Sequence, residues 1–264
     1  MAGLFYPADR GELERVVDAL LEQAGRRARA GLCGVVAPHA AYVYSGPVAA
    51  AAFALLPEEA DVALLGPSHF VPLAGVAVSG MDAWATPLGE VPVSVRLREA
   101  ALAAGALVAD APHRTDHALE VELPFLQRAC RGGLEILPLA VGEAAPGEVA
   151  ELLDALAGQG ALLVVSTDLS HYLPDEVARR ADRATAEAVV RREPEALTDG
   201  AACGVHALRG LVEHARRRRL ALDLLELRTS ADAGGEPDRV VGYGAFSLST
   251  PESVSDTGEP AARS

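Results

Sequence analysis

The sequence predicts an α/β fold in which helices flank a central, mostly parallel or mixed sheet. Short apolar runs recur along the chain, and longer stretches with helical apolar spacing lie between them. Several of these runs carry no polar residue on either face, which is typical of strands that are covered on both sides. Half of the residues are hydrophobic and 23% are charged, a composition that can bury a sizeable core.

The apolar runs give the predicted strands. In chain order they are 33–37, 62–65, 76–79, 134–141, 161–166, 220–227 and 240–248. A glycine-rich loop, 231–238, joins the last two strands and predicts an antiparallel return at one edge of the sheet.

Helical spacing is clearest near the start of the chain, where apolar residues such as Leu13, Val17 and Leu20 recur every three or four positions. Pro124 lies inside another helical stretch and predicts a kink or an early stop there. The predicted helices are 12–24, 46–56, 118–131, 148–156, 175–192 and 203–218.

We expect a single domain over residues 1–249. The remaining residues, 250–264, read TPESVSDTGEPAARS and are rich in proline, serine and acidic side chains. Such a composition buries little apolar surface, so this segment is predicted to be a disordered tail.

The chain carries 37 acidic and 23 basic residues, a formal net charge of −14. A surface of that sign repels phosphate groups, so we expect neither nucleic acid nor a membrane as a partner. Three cysteines are too few for a disulfide framework and indicate a reducing compartment. No segment has the pattern of a signal peptide or a membrane span, so we expect a soluble, cytoplasmic protein.

Three histidines closely follow predicted strands. His39 ends CGVVAPH, His69 ends VALLGPSH and His171 ends LLVVSTDLSH. Ligands of open α/β sheets bind beyond the carboxyl ends of the strands, so these imidazoles converge if the three strands are neighbours. One such histidine is more often a turn residue bonded to the backbone, but the shared context of all three favours a common site.

Three further polar residues stand close to these histidines. Asp168 can orient His171 or ligate a metal, and an N-cap role ahead of the next helix is equally open. His117 and Glu120 are spaced i and i+3 at a predicted helix start and so share one face. That pair can bind a metal or move protons, with a solvated first turn as the alternative.

Cys203 opens a predicted helix, where backbone N–H groups and the helix dipole favour a thiolate. A thiolate is both a nucleophile and a strong metal ligand, and the alternative is a small buried core residue. The sequence contains no G-x-G-x-x-G, G-x-x-x-x-G-K-[ST] or G-x-S-x-G motif. Dinucleotide, P-loop and serine-hydrolase sites of those types are therefore not predicted.

Read together, segments along nearly the whole chain resemble the Memo family, also called AmmeMemoRadiSam system protein B. The blocks that carry the resemblance are LFYPADRGELE, APHAAYVYSG, LLGPSHF, WATPLGEVPV, DHALEVELPFLQ, STDLSHY, ACGVHAL and VVGYGAFSL. The sequence departs from the usual family blocks at Ala41, Asp116 and Ala118. The resemblance implies a fold similar to that of the class III non-haem iron extradiol dioxygenases.

The resemblance also implies a metal centre built from His39, His69 and Cys203. The candidate catalytic residues that it places around this centre are Asp168 and His171 in the same pocket and His117 and Glu120 on its wall.

These observations leave three functional hypotheses. The first is a Memo-like metalloprotein that works as a non-haem Fe(II) oxidoreductase, similar to dioxygenases, on an unknown small molecule or peptide. There His171 would act as general acid or base, with its tautomer set by Asp168. Copper and zinc are the alternative metals, because two imidazoles with a thiolate suit those ions.

The second hypothesis is a non-catalytic module that binds a peptide or a partner protein. The resemblance implies a radical-SAM system protein as one such partner, since bacterial members of the family are associated with one. The third hypothesis is a hydrolase that uses a zinc-bound water.

Overall fold

In the computed structural model, which describes residues 1–251, the seven predicted strands and two further short ones form one nine-stranded mixed sheet. Eight strands follow one another in the order β10-β11-β1-β8-β2-β7-β3-β6, and β9 pairs with β11. Their bounds are β1 Leu32–Ala37, β2 Glu59–Pro67, β3 Val76–Val78, β6 Leu107–Val108, β7 Gly133–Val141, β8 Leu162–Ser166, β9 His171–Leu173, β10 Ala221–Thr229 and β11 Val240–Ser249. Two further strands, β4 Ala83–Thr86 and β5 Gly89–Pro92, form a separate antiparallel pair.

Eight α-helices connect and cover these strands within the described residues. Their bounds are α1 Arg10–Gln23, α2 Tyr42–Phe53, α3 Val95–Ala103, α4 Ala111–Arg114, α5 Leu123–Ala129, α6 Pro146–Gly158, α7 Asp175–Arg191 and α8 Val205–Arg218. None of them is long and apolar enough to cross a lipid bilayer.

The centre of the sheet is parallel. β8 lies between β1 and β2, β7 pairs with the other side of β2, and all of these pairings are parallel. At one side of this group, β11 and β10 add antiparallel strands, as the glycine-rich loop between them predicts. The carboxyl ends of β1, β8 and β2 therefore meet at one edge of the sheet.

Both faces of this central group are covered. Six consecutive residues of β2, Val62–Pro67, are buried, and successive strand residues point to opposite faces of a sheet. One helix group consists of α1, α2 and α5, with α2 against β1, and a second consists of α6 and α8, with α8 against β2 and β8. This arrangement confirms the predicted α/β class with its helix-flanked mixed sheet.

The seven predicted strands and six predicted helices all appear, with most ends shifted by a few residues. Only the helix predicted at 118–131 differs in type, because a 3₁₀ turn at Glu120–Glu122 precedes the shorter helix α5. Pro124 lies in the first turn of α5, where its missing N–H leaves no bond unmade, so it starts a helix rather than kinking one. The prediction for this segment was wrong in that respect.

The sequence analysis missed the short elements β4, β5, β6, β9, α3 and α4. Each spans two to nine residues, too few for a periodic apolar pattern to identify. The tail predicted at 250–264 lies almost wholly outside the described residues, and the single-domain assignment stays a prediction.

Candidate metal centre

Three imidazoles meet at the carboxyl edge of the parallel strands. His39 follows β1, His69 follows β2, and His117 comes from the loop before the 3₁₀ turn. One ring nitrogen of each lies within 4.8 Å of the others, so the three can hold a metal ion. The ring centroids are 5.4 Å apart for His39 and His69, 5.2 Å for His39 and His117, and 5.0 Å for His69 and His117.

His39 is buried and fixed on two sides. Its backbone N–H donates to Asp168 Oδ1 at 2.9 Å, and its Nδ1 lies 2.8 Å from Ser166 Oγ. With Nδ1 occupied in this way, Nε2 is the nitrogen left to bind a metal. Burial lowers the pKa of His39 well below its usual value, and the neighbouring charges of His117 and His69 lower it further. A neutral ring keeps a nitrogen lone pair free for a metal.

Asp116 fixes His69. Its Oδ2 accepts the backbone N–H of His69 at 2.7 Å, and its Oδ1 lies 3.0 Å from the Nδ1 of the same residue. The backbone N–H of Ala118 also donates to Oδ1, at 3.0 Å. Burial by itself would raise the pKa of Asp116, but these hydrogen bonds outweigh it and lower the pKa to about 2. A carboxylate that holds the second nitrogen of a histidine is typical of metal-ligating imidazoles.

His117 is held by stacking. Its ring stacks on Phe5, with the ring centroids 4.4 Å apart and an angle of 21° between the ring planes. It also stacks on His69, with the centroids 5.0 Å apart and an angle of 7°. Its Nδ1 is 3.9 Å from Asp116 Oδ1, too far for a hydrogen bond. Burial, followed by the neighbouring charge of His69, lowers its pKa as well. The environments of His39 and His117 thus favour the neutral, metal-binding form.

Cys203 lies beside this group. Its Sγ is 3.3 Å from His39 Nε2, and the backbone N–H of Asp168 donates to the sulfur at 3.2 Å. Burial, reinforced by the Asp168 charge, raises the pKa of the thiol to about 12. α8 begins only at Val205, so the thiol stands just ahead of the helix and not in its first turn.

Asp168 is buried just beyond the end of β8. Burial raises its pKa to about 7, although the backbone N–H groups of His39 and Ala40 oppose the rise. The Nδ1 of His171 lies 2.8 Å from the carbonyl of Leu169 rather than on Asp168. Asp168 therefore positions His39 and contacts Cys203, and the tautomer of His171 depends on the main chain. Burial lowers the pKa of His171.

Glu120 stands apart from the three imidazoles. Its Oε1 accepts from the hydroxyl of Tyr6 at 2.6 Å and from the amino group of Met1 at 2.9 Å. It also lines a cavity of about 330 Å³ that includes Trp84 and His113. The helical spacing that predicted a shared face for His117 and Glu120 does not apply, because the 3₁₀ turn begins only at Glu120.

Four residues of this site received no role from the sequence: Phe5, Asp116, Ser166 and Glu122. Ser166 is the last residue of β8, at the edge of the sheet where ligands bind, and that position could have identified it. Glu122 is a charged residue among apolar ones, in VELPFL, and its burial could have been suspected. Nothing in the local sequence pairs Phe5 with His117.

Comparison with known proteins identifies the family that this chain resembles. The family model described as "Memo-like protein" matches residues 1–247. A MEMO1 family protein of Methanosarcina barkeri is 33% identical over 259 residues, covering 93% of this chain and 97% of its own length. A MEMO1 family protein of Aquifex aeolicus is 34% identical over 255 residues, covering 92% and 95%.

Among solved structures, an uncharacterized protein from Escherichia coli K12 has a similar fold. Its TM-score is 0.50 at 14% sequence identity, and the match covers 73% of this chain and 87% of the other. At that identity the similarity concerns the fold alone.

Proposed function

The chain belongs to the Memo family, and we propose that it is a metalloprotein whose His39, His69 and His117 hold a redox-active ion, with Fe(II) as the first candidate. The observation that carries the proposal is the convergence of one nitrogen from each of three imidazoles within 4.8 Å. Iron, copper and zinc all accept imidazole ligands.

The residues fit such an ion in their chemistry. Hydrogen bonds at Nδ1 of His39 and His69 leave the Nε2 lone pair of each ring available. Burial favours the neutral form of His39 and His117, which is the form that binds a metal. An iron or copper ion bound here would supply one-electron and dioxygen chemistry.

Cys203 is the proposed fourth donor. Its sulfur is 3.3 Å from His39 Nε2, so an ion held by that nitrogen would have the thiol within reach. The raised pKa keeps the thiol protonated in the metal-free protein. Metal binding would displace that proton, so the affinity gained from Cys203 grows as the pH rises.

Asp168 and His171 are the proposed proton-transfer groups. Asp168 has a pKa of about 7, so it can either take up or release a proton near neutral pH. His171 begins β9, three residues after Asp168, and is only partly buried. The proposed substrate is a small molecule or peptide that reaches the site from this side.

The test is elemental analysis of protein purified without a chelator or a histidine tag. Wild type is compared with His39→Ala, His117→Ala and Cys203→Ala. His206→Ala serves as the control, because its ring contacts the Ala144 carbonyl and is not one of the three converging imidazoles. Near-stoichiometric iron or copper in wild type and the control, lost in His39→Ala and His117→Ala, is expected. No bound metal after anaerobic reconstitution would overturn the proposal.

Zinc in the same experiment would favour a hydrolase, which hydrolysis of model esters by the zinc-loaded protein then checks. With iron or copper bound, dioxygen uptake in the presence of candidate reductants tests the oxidoreductase assignment. An iron-loaded protein that never consumes dioxygen would remove that part of the proposal.

A second candidate function is a module that binds a protein or peptide partner over the same site. Exposed apolar side chains stand next to site residues: Leu4 is 81% exposed, Phe70 63% and Tyr172 61%. Such residues are common at protein interfaces. A pull-down whose partner survives the double variant His39→Ala/Cys203→Ala would favour this function. A radical-SAM system protein is one partner to look for among the captured proteins.

A further inference from the structure

The hydroxyl of Ser166 lies at the meeting point of three groups. Its Oγ is 2.8 Å from His39 Nδ1, 2.7 Å from the carbonyl oxygen of Ala118 and 2.8 Å from Glu122 Oε1. All three distances are those of good hydrogen bonds, and all four groups are buried.

The positions of the protons around the Ser166 hydroxyl follow from which groups can donate. A serine hydroxyl has one proton to donate and two lone pairs that accept. The Ala118 carbonyl has no proton, so its contact requires that Ser166 donate to it. Ser166 must then accept in its other two contacts. His39 therefore carries a proton on Nδ1, and Glu122 carries a proton on Oε1.

The surroundings of Glu122 agree with a neutral acid. Its residue is 1% exposed, and its Oε2 has no hydrogen-bond partner within the described part of the chain. An unpaired oxygen costs far less on a neutral carboxylic acid than on a buried carboxylate. Burial raises the pKa of Glu122 well above its usual value, and the charge of nearby Asp168 raises it further.

We propose that Glu122 is held as a neutral carboxylic acid and, through Ser166, locks His39 in the Nδ1–H tautomer, which aims the Nε2 lone pair at the three-imidazole centre. Glu122 and Ser166 are thus positioning residues. The inference concerns the protein itself, and only its consequence for metal affinity rests on the proposed function.

An ionised Glu122 would undo this arrangement. The carboxylate would compete with Ala118 for the single proton of Ser166, and one of the two oxygen contacts would become repulsive. Two substitutions of Glu122 distinguish the effect of its ionisable group from the effect of its hydrogen-bond donor. Glu122→Gln keeps a donor toward Ser166 without any ionisable group, whereas Glu122→Leu removes the donor.

Two spectroscopic measurements on the metal-free protein test the proton positions. Infrared spectra recorded at about pH 8.5, where Asp168 with its pKa of about 7 is ionised, should show a protonated carboxylic acid that disappears in Glu122→Gln. Exposed Glu135→Gln should leave that band unchanged. Nitrogen-15 NMR of labelled histidine should show His39 protonated at Nδ1 in wild type and in Glu122→Gln, and a changed tautomer population in Ser166→Ala.

Zinc affinity, measured by chelator competition with the metal alone, tests the positioning role. We expect Ser166→Ala and Glu122→Leu to bind Zn²⁺ about 10- to 100-fold more weakly, and Glu122→Gln to stay within about threefold of wild type. Circular dichroism of each variant confirms that it is folded. Rescue by glutamine separates a donor role from a merely structural one.

The inference would be overturned by an infrared band absent from wild type, or by His39 protonated at Nε2 in the metal-free protein. Loss of zinc affinity in Glu122→Gln equal to that in Glu122→Leu would do the same. If wild type binds no metal at all, the proposed function fails, while the infrared and NMR results still decide the proton positions.

Discussion

Asp116 supports the metal centre through contacts with two parts of the chain. It accepts from the backbone and lies against the ring of His69, and it accepts the backbone N–H of Ala118, close to His117. One carboxylate therefore fixes the orientation of the His69 ring and the position of the loop that carries His117. Sequence reasoning assigned it no role, because its importance comes from a partner 47 positions away.

Replacing Asp116 by asparagine should weaken metal binding. The amide lacks the charge, and its NH₂ group faces donors where the carboxylate accepted. We expect Zn²⁺ affinity to fall about 10- to 100-fold in chelator competition. Asp110→Asn is the matched control, since Asp110 also accepts a backbone N–H, from Gly80, but lies outside the centre. Equal affinities for the two variants would contradict the role given to Asp116.

Glu122 should also make the free energy of unfolding depend on pH. Its pKa is raised in the folded protein, so between its unfolded and folded pKa values the folded state holds a proton that the unfolded state has released. The stabilisation is therefore fully present below the pKa that Glu122 has in the unfolded chain. As the pH rises from there toward the pKa that Glu122 has in the folded protein, the free energy of unfolding falls by at most about 1.4 kcal/mol per pH unit.

Glu122→Gln has no such proton to lose. Urea unfolding between about pH 5 and about pH 8 should give a shallower fall for this variant than for wild type, with the variant the more stable of the two at the upper end. Parallel curves would mean that Glu122 is ionised in the folded protein.

Among the elements, the packing of α8 on α6 depends on a glycine. A Cβ added at Gly210, in α8, would overlap the side chain of Val149 in α6. Val149 is fully buried and β-branched, so it has little freedom to move aside. The close approach of the two helices is thus fixed by the absence of one side chain.

Gly210→Ala should destabilise the protein by about 1–3 kcal/mol in urea unfolding, even though alanine favours helix. Gly158→Ala, at the end of α6 with nothing within 4 Å of the new Cβ, is the matched control. We expect the control to be neutral or more stable by up to about 1 kcal/mol. A stabilising Gly210→Ala would show that the two helices can separate without cost.

The strand ends show how far sequence patterns reach at this scale. Apolar runs predicted β1, β2 and β8 and placed His39, His69 and Asp168 just beyond them. Short elements were not predicted, because three-residue β9 and the β4–β5 pair contain too few residues for a periodic signal. The position of Pro124 shows the same limit, since the residue that breaks a helix interior also begins one.

For the whole molecule, one sheet joins segments from both ends of the described chain. β1 pairs with β11, and the buried core runs continuously from the first helix to the last strand. Trp84, the only tryptophan, lies in β4, outside the main sheet. The β4–β5 pair meets that sheet through a bridge between Val93 and Ile136.

The single-domain prediction can be tested through this tryptophan. If residues 1–249 unfold as one unit, Trp84 fluorescence and far-ultraviolet circular dichroism should give the same urea midpoint, within about 0.2 M on the usual linear treatment. An earlier transition in fluorescence would instead mark β4–β5 as a separately unfolding segment.

The net charge of −14 bears on partners, and the exclusion of nucleic acid and membranes stays a prediction.

The sequence by itself determined the fold class, the family and two of the three imidazoles at strand ends, because these depend on local patterns and ordered motifs. Only the tertiary structure decided that β8 lies between β1 and β2, that His117 joins His39 and His69, and that Glu120 bonds Tyr6 and Met1. It also brought Glu122 to Ser166. Those contacts join residues 44 or more positions apart. Their distances are set by the strand order and the loop path, which no local pattern encodes.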